Sequence, residues 1–376
     1  MTAPHKTNNN NNFMAEALRL AKLSKPSPNP RVGAVLVKEN HIVGRGFHKN
    51  PGSPHAEIEA ITNAGQSAAG ADLYVTLEPC CHTGRTGPCT EAIHAASIRH
   101  VFVGMLDPDQ KMRGQGVKIL KKLGHQVTVG ILEATCKELL RGYLIHRTLG
   151  RPEIILKAAV SLDGYLASSS GNSKWISSET SRIKAHSMRA FSDAVLVGIE
   201  TVLIDNPMLT VRHKVDPYSN YKNPLRVVMD SMLRTPMESN LVKTAHKTPL
   251  LLAYTKAPET KVAALKNIPG IQTLQCPPTT DNRVDPIALA RKLANIGILS
   301  LLVEGGGVIH GAFAKAGIAD RFSLFIAPKI FGSGKRWISF EGTDIVSNAL
   351  SVANLDVTTS GIDLLLEGLI KQPHAK

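Results

Sequence analysis

The segment HAEIEA at 55–60 sets a histidine and a glutamate two residues apart, and EPCCHTGRTGPC at 78–89 places three cysteines within ten residues. Imidazole and thiolate suit zinc. Three such ligands leave a fourth position for water, whereas four close the site. With His55, Cys80 and Cys89 as ligands, Glu57 stands beside the metal as a proton carrier for hydroxide chemistry. With Cys81 or His82 added, the site is closed and structural and Glu57 has no task. We take Cys81 as a non-ligand. Ser53-Pro54 reads as a helix start that puts His55 and Glu57 in the first turn. Residues two apart on a helix diverge, which suits one ligand and one carboxylate working from beside the metal. Pro88-Cys89 reads as a second helix start, whose amide dipoles favour a thiolate, and Cys80 follows a strand at 72–77. Cys136 and Cys276 read as structural thiols. Five cysteines is an odd number, and three of them are clustered, so a metal fits better than a disulfide framework.

The elements that must position these groups follow from periodicity. At 376 residues the chain exceeds the size of one comfortable core, so two domains are expected, and 43% hydrophobic with 20% charged residues is an ordinary globular composition. Apolar residues at helical spacing predict a helix over 13–24. The Asn run at 8–12 carries no pattern that could bury surface, so 1–12 is expected to be a disordered tail. Short strand-like runs at 32–37, 41–47, 72–77, 100–105 and 126–131 alternate with helices at 54–65, 88–97, 115–123 and 132–147, an α/β layer with room for helices on both faces of a sheet. HRTLGRPE at 146–153 marks a boundary near 150. A second βα series follows, with strands at 153–162, 193–198, 225–230, 248–254, 298–304 and 321–328 and helices near 178–191, 285–296 and 307–316. No apolar run approaches a bilayer span and the N-terminus lacks a signal-peptide core, so the expected location is cytoplasmic.

The net charge of +14 favours anionic partners. Its Lys and Arg are scattered and aromatics are few, which fits phosphorylated small molecules or a solvated surface better than nucleic acid. Self-association is left open, and no membrane partner is expected.

Zinc nucleobase deaminases carry H-x-E followed by P-C-x-x-C, with the glutamate as proton shuttle. Here His55-Ala56-Glu57 fits, but Pro79-Cys80 is followed by eight residues before Cys89. HAEIEA through EPCCHTGRTGPC, with its Gly84-Arg85-Thr86 turn, and the upstream PSPNPRVGAVLV and GFHKNPGSPHAE resemble the deaminase domain of the bifunctional riboflavin-biosynthesis deaminase–reductase family. That resemblance implies a cytidine-deaminase-like α/β/α domain over 13–148 and puts Asn29 and His48 at the substrate.

In the second half, GGGVIHGAF after the strand at 298–304 is a glycine-rich turn opening a helix, which presents amides to a phosphate but matches neither a dinucleotide fingerprint nor a Walker loop. KAAVSLDGYLA, GNSKWIS, SMRAFSDAVLVGIETVLIDNPMLTVR and LLVEGGGVIHGAF together resemble the reductase domain of the same family. This implies a dihydrofolate-reductase-like α/β domain over 151–376 that uses NADPH. The cofactor is then expected near Ala159, Trp175, Thr201, Asp205, Ser231 and the loop of Gly306, Gly307, Val308, Ile309, His310, Gly311 and Ala312. Substrate is expected near Ser173, Arg189, Leu209, Arg212 and Glu304, with Arg189 and Arg212 gripping its phosphate through fork-like hydrogen bonds. The implied reactions are hydrolytic deamination of 2,5-diamino-6-(5-phosphoribosylamino)pyrimidin-4(3H)-one and then reduction of the ribosyl side chain of the uracil product to ribityl. Two rivals are a nucleic-acid adenosine deaminase with an RNA-binding half and a non-enzymatic zinc-stabilised binding module.

Overall fold

A computed structural model describes the chain over residues 5–82, 87–110, 112–212 and 222–371, with side chains from Asn9 onward. The turn at Gly84-Arg85-Thr86 lies outside the described residues. The chain forms two compact units divided between Gly150 and Arg151. Among the described residues, no helix is long and apolar enough to cross a membrane.

The first unit runs α1 (His5–Ala21), β1 (Gly33–Lys38), β2 (His41–Phe47), α2 (Ala56–Ala64), β3 (Asp72–Leu77), α3 (Cys89–Ala95), β4 (His100–Met105), α4 (Gln115–Lys122), β5 (Gln126–Val129), α5 (Glu133–Leu139) and α6 (Arg141–Leu149). Its sheet has the order β2-β1-β3-β4-β5, antiparallel at β2-β1-β3 and parallel beyond. Paired residues in antiparallel strands share a face. Ala34 pairs with Gly46 and Leu36 with Gly44, so both glycines face α2, where an added Cβ would lie 2.1 Å from the Ala56 carbonyl and 2.3 Å from that of Ala60. Gly33, one residue out of phase, faces α1, and its Cβ would lie 2.0 Å from the Ala17 carbonyl. Helices therefore cover both faces, and α2 sits directly on the β2 backbone.

Three expectations are corrected in this unit. The Asn run is not a tail: α1 begins at His5, the Tyr74 hydroxyl donates to Asn10 Oδ1 at 2.6 Å, and Asn9 Nδ2 donates to Asn40 Oδ1 at 3.0 Å. Side-chain amides thus anchor a segment that has no apolar stripe. Ser53 does not cap α2, because its hydroxyl is engaged with the Asn50 backbone; the cap is His55, in extended conformation. The single helix expected over 132–147 is two, α5 and α6, meeting at Leu140.

The second unit contains β6 (Glu153–Val160), β7 (Tyr165–Ser168), α7 (Glu179–Phe191), β8 (Ala194–Gly198), α8 (Ile199–Asp205), β9 (Leu225–Met229), α9 (Asn240–Lys243), β10 (Leu250–Tyr254), α10 (Glu259–Lys266), β11 (Ile271–Gln275), α11 (Pro286–Asn295), β12 (Ser300–Val303), α12 (Gly307–Lys315), β13 (Arg321–Ile326), β14 (Gly334–Arg336), β15 (Val352–Ser360) and β16 (Asp363–Ile370). The main sheet has the order β11-β10-β9-β8-β12-β6-β13-β16-β15, parallel from β11 to β13 and antiparallel at β16 and β15. Alternate residues of β8, β9 and β10 enter opposite cores. Ala194, Leu196, Val227, Met229 and Leu251 lie on one face, and Val195, Val197, Val228, Leu250 and Leu252 on the other. Burial on both faces is why these strands read as unbroken apolar runs.

On β9, Arg226 is fully buried. Its terminal nitrogens donate to the carbonyls of Met208, Leu241 and Thr248 and to the Thr244 hydroxyl. Burial lowers its pKa to about 10.

The contact between β2 and α2 is backbone on backbone, so no side-chain rotation can relieve it. Gly46→Ala is expected to destabilise the first unit by about 1–3 kcal/mol, as overpacked cores do, and to weaken zinc retention by displacing α2. Equilibrium denaturation and metal content of the purified variant check this.

Candidate metal centre and nucleotide crevice

The β2–α2 contact places His55 at the end of an extended segment and Glu57 inside the first turn of α2, and β3 delivers Cys80 three residues beyond its end. Cys89 opens α3. One ligand atom each from His55, Cys80 and Cys89 lies within 4.8 Å of the other two. His55 Nδ1 is 3.2 Å from Cys89 Sγ and 3.5 Å from Cys80 Sγ, and the Cys89 backbone N–H points at Cys80 Sγ at 3.4 Å. Cys81 and His82 are not in this cluster.

The two thiols shift in opposite directions. Cys80 is pushed down to about 4 by the hydrogen bond from Cys89 and by His55, while the neighbouring Cys80 sulfur and burial push Cys89 up. The bond to Cys80 raises His55. Glu57 is 3% exposed, and burial, followed by the Cys80 thiolate, raises it to about 7. Two thiolates and an imidazole are a donor set that fits Zn²⁺ with one position open, and the buried carboxylate stands beside it.

Asn29 and His48 meet beside this cluster. Asn29 Nδ2 lies 2.9 Å from His48 Nε2, His48 Nδ1 lies 3.1 Å from the Pro54 carbonyl, and the His48 ring meets the His55 ring edge-on at 5.2 Å. Burial lowers the His48 pKa, so the neutral tautomer donates from Nδ1 to Pro54 and accepts from Asn29. The sequence did not single out Glu78. Its buried carboxylate accepts N–H bonds from Asp107 (3.0 Å), Gly114 (2.9 Å) and Val117 (3.2 Å), pinning the strand end that carries Cys80. A charged residue directly before Pro79-Cys80 was the available signal.

In the second unit, Ala159, Thr201, Ser231, Glu304 and the turn at 305–307 lie at or just beyond the carboxyl ends of β6, β8, β9 and β12, where open parallel sheets bind ligands, whereas Asp205 lies at the far end of α8. The chain winds outward from β8 to β11 on one side and from β12 to β13 on the other, so the crevice opens at β8/β12. There Gly198 and Gly305 stand back to back: a Cβ on Gly305 would meet Gly198 N at 2.6 Å. The two helices that follow, α8 and α12, therefore begin side by side, each with a glycine cap. Gly306 has open space around it, which leaves a cradle for a phosphate.

Gly307, His310 and Gly311 of the expected loop are engaged elsewhere, while the Ile309 side chain lies against Gly198. Gly307 and Gly311 are small because the segment 336–340 lies on α12; a Cβ would come within 2.1 Å of the Arg336 carbonyl and 1.9 Å of the Ser339 carbonyl, respectively. The His310 ring is buried, with its nitrogens 2.7 Å from the Trp337 carbonyl and 3.0 Å from that of Val303. Gly306 and the half-exposed Val308 stay accessible. Trp175 is 66% exposed, with the Arg182 guanidinium 4.6 Å from its ring centre and the Lys329 ammonium on its carbonyl; Ser173 lies two residues earlier on the same loop.

Arg189 departs from its expected role. Its guanidinium donates from Nε and one terminal nitrogen to Glu304 at 2.6 and 2.7 Å, and from the other to the Thr210 carbonyl at 3.1 Å. The fork expected to hold a phosphate is committed to a carboxylate at the end of β12. Burial opposes ionisation of Glu304, but the Arg189 charge and hydrogen bonds, aided by Lys157, hold it at about 2. Lys157, on β6, was not singled out by the sequence, and burial lowers its pKa. Leu209 is buried next to Thr210. Arg212 is the exposed cation of this group; its backbone N–H donates to His186 Nδ1 at 3.3 Å, and burial and Arg189 lower its pKa.

Comparison with known proteins finds relatives of both units. Residues 7–105 match the family described as the cytidine and deoxycytidylate deaminase zinc-binding region, and residues 152–366 match the RibD C-terminal domain. The riboflavin biosynthesis protein RibD of Aquifex aeolicus is 42% identical over 94% of this chain and 97% of its own, and that of Escherichia coli is 36% identical over 94% and 97%. The solved RibD of Acinetobacter baumannii superposes with a TM-score of 0.86 at 33% identity, covering 98% of this chain and 100% of that one. A diaminohydroxyphosphoribosylaminopyrimidine deaminase/5-amino-6-(5-phosphoribosylamino)uracil reductase from Thermotoga maritima gives 0.84 at 33% identity, with coverage of 98% and 100%.

Two outcomes are expected. Cys80→Ser and Cys89→Ser should each lose most bound zinc, whereas Cys81→Ser should keep it, as read by metal analysis of purified variants. Breaking one side of the buried Arg189–Glu304 pair should cost about 3–5 kcal/mol, and the double variant Arg189→Met/Glu304→Gln should regain part of that loss. A denaturation cycle over the four proteins measures it.

Proposed function

The chain belongs to the RibD family of bifunctional riboflavin-biosynthesis enzymes, and from that premise we propose how its residues divide the work. It is a zinc-dependent deaminase and an NADPH-dependent reductase, with a cytidine-deaminase-like domain followed by a dihydrofolate-reductase-like one. The first reaction removes ammonia from 2,5-diamino-6-(5-phosphoribosylamino)pyrimidin-4(3H)-one; the second reduces the ribosyl side chain of 5-amino-6-(5-phosphoribosylamino)uracil. We assign the deaminase to 13–148 and the reductase to 151–376. The enzyme acts on phosphorylated small molecules, and we assign it to the cytoplasm with no nucleic-acid partner.

The observation that carries the deaminase assignment is the convergence of His55, Cys80 and Cys89 around the buried Glu57. These three residues would hold Zn²⁺, which supplies the Lewis acidity that makes hydroxide available near neutral pH. Glu57 takes the proton of the attacking water on its carboxylate and delivers it to the departing amine. Its burial keeps the exchange away from bulk solvent. Asn29 and His48, held in one tautomer by Pro54, orient the pyrimidine.

In the reductase, NADPH supplies the hydride, and the protein supplies orientation and charge. Gly306, with the side-by-side helix starts of α8 and α12, would take the cofactor's phosphates. Ala159, Trp175, Thr201, Asp205 and Ser231 would line its remaining length. For the substrate, Arg212 takes the phosphate, while Arg189 holds Glu304 ionised and aimed at the crevice beside Leu209 and Ser173. This changes the role of Arg189 from grip to positioning.

Glu57→Gln removes the titrating group and keeps the shape. Ammonia release from the diaminopyrimidinone should fall by about two orders of magnitude or more, with zinc retained. Supplied with the aminouracil, the same variant should oxidise NADPH at the normal rate. Loss of both activities in a folded, zinc-loaded protein would overturn the two-site division.

A further inference from the structure

Outside both sites, one pair of titratable side chains has ligand geometry. His94, in the last turn of α3, and His125, after α4, approach with His94 Nδ1 3.2 Å from His125 Nε2 and ring centres 5.4 Å apart, nearly perpendicular. Two imidazole nitrogens bound at about 2.0–2.1 Å to one tetrahedral zinc lie about 3.3 Å apart, so the pair already has the bite of two adjacent ligands.

The second observation concerns the far side of the His125 ring. Nδ1 is 2.7 Å from the Ile98 carbonyl. Ligating histidines usually give their other N–H to a carbonyl in this way, which fixes the tautomer and aims the remaining lone pair. The backbone is held as well. His125 N–H donates to the Leu120 carbonyl at 3.1 Å, Ser97 N–H to that of His94 at 2.9 Å, and Ile98 N–H to that of Ile93 at 3.3 Å. One turn therefore anchors His94 and supplies the carbonyl that orients His125.

We propose that His94 and His125 form a second metal site, taking a borderline divalent cation such as zinc on His94 Nδ1 and His125 Nε2 with water completing the shell. Both ligands bind as neutral imidazoles. No proton is released; His94 only has to carry its hydrogen on Nε2. The bound ion ties the end of α3, whose first residue is Cys89, to the turn leading into β5.

The test titrates the full-length, zinc-loaded protein with further Zn²⁺ near pH 7.5, by calorimetry and metal analysis. A second, weaker equivalent is expected, and His94→Gln or His125→Gln should abolish it while the first equivalent and deaminase activity remain. In the wild-type protein, Zn²⁺ at about a hundredfold excess over Kd should slow carbethoxylation of both rings about a hundredfold, read by peptide mass spectrometry. A wild-type protein that takes up no second equivalent, variants that still take it up, or unprotected labelling of the two rings would each overturn the site.

Discussion

Two sulfurs and an imidazole nitrogen within 4.8 Å are a concentration of electron density that the fold has to hold in place before any metal neutralises it. Their nearness already favours the thiolate at Cys80 and disfavours it at Cys89. The scaffold behind them is correspondingly stiff. Gly44 and Gly46 let α2 lie on the β2 backbone, Glu78 ties the end of β3 to three amides, and the Cys89 N–H already points at the Cys80 sulfur. A metal centre held this way loses little order on binding, which is the general advantage of preorganised ligands.

The reductase half meets a related demand differently. Glu304 and Arg189 compensate each other within a buried site, with Lys157 close by, so the crevice holds fixed charges of both signs. The pair also fixes a pH window. Glu304 titrates well below an ordinary carboxylate, so its contribution to stability is present above the usual carboxylate range and is lost as pH falls toward 2.

What the sequence made legible followed from how strongly each feature constrained residue type. Few pairs other than His55 and Glu57, followed by Cys80 and Cys89, serve the same chemistry, and β8, β9 and β10 announced themselves because both faces are buried, whereas the partly exposed edge strand β11 did not. The helix expected over 13–24 is there, with Met14, Ala17, Leu18 and Ala21 buried, but its first turns were missed because asparagine side-chain hydrogen bonds, not an apolar stripe, anchor them. Strands β15 and β16 were missed for the opposite reason to β8: β15 is exposed along almost its whole length, so no periodicity marks it, although Ser360-Gly361 is a turn signal. The fork of Arg189 was expected on a phosphate and is found on Glu304, because residue type alone does not say which anion occupies a guanidinium. The glycines at 307 and 311 were expected beside the cofactor, and only the fold shows that the 336–340 segment occupies the space a side chain there would need.

Arg226 has an implication for how the second unit comes apart. The two terminal nitrogens of its guanidinium depend on Met208, Leu241, Thr244 and Thr248 together, its buried Nε has no partner, and no carboxylate is among its hydrogen-bond partners. Partial opening of the 241–248 segment therefore strands a buried cation, so that segment and the chain leading to Arg212 open as one cooperative unit. Opening beside this interior strand thus costs the solvation of a cation and not merely one hydrogen bond.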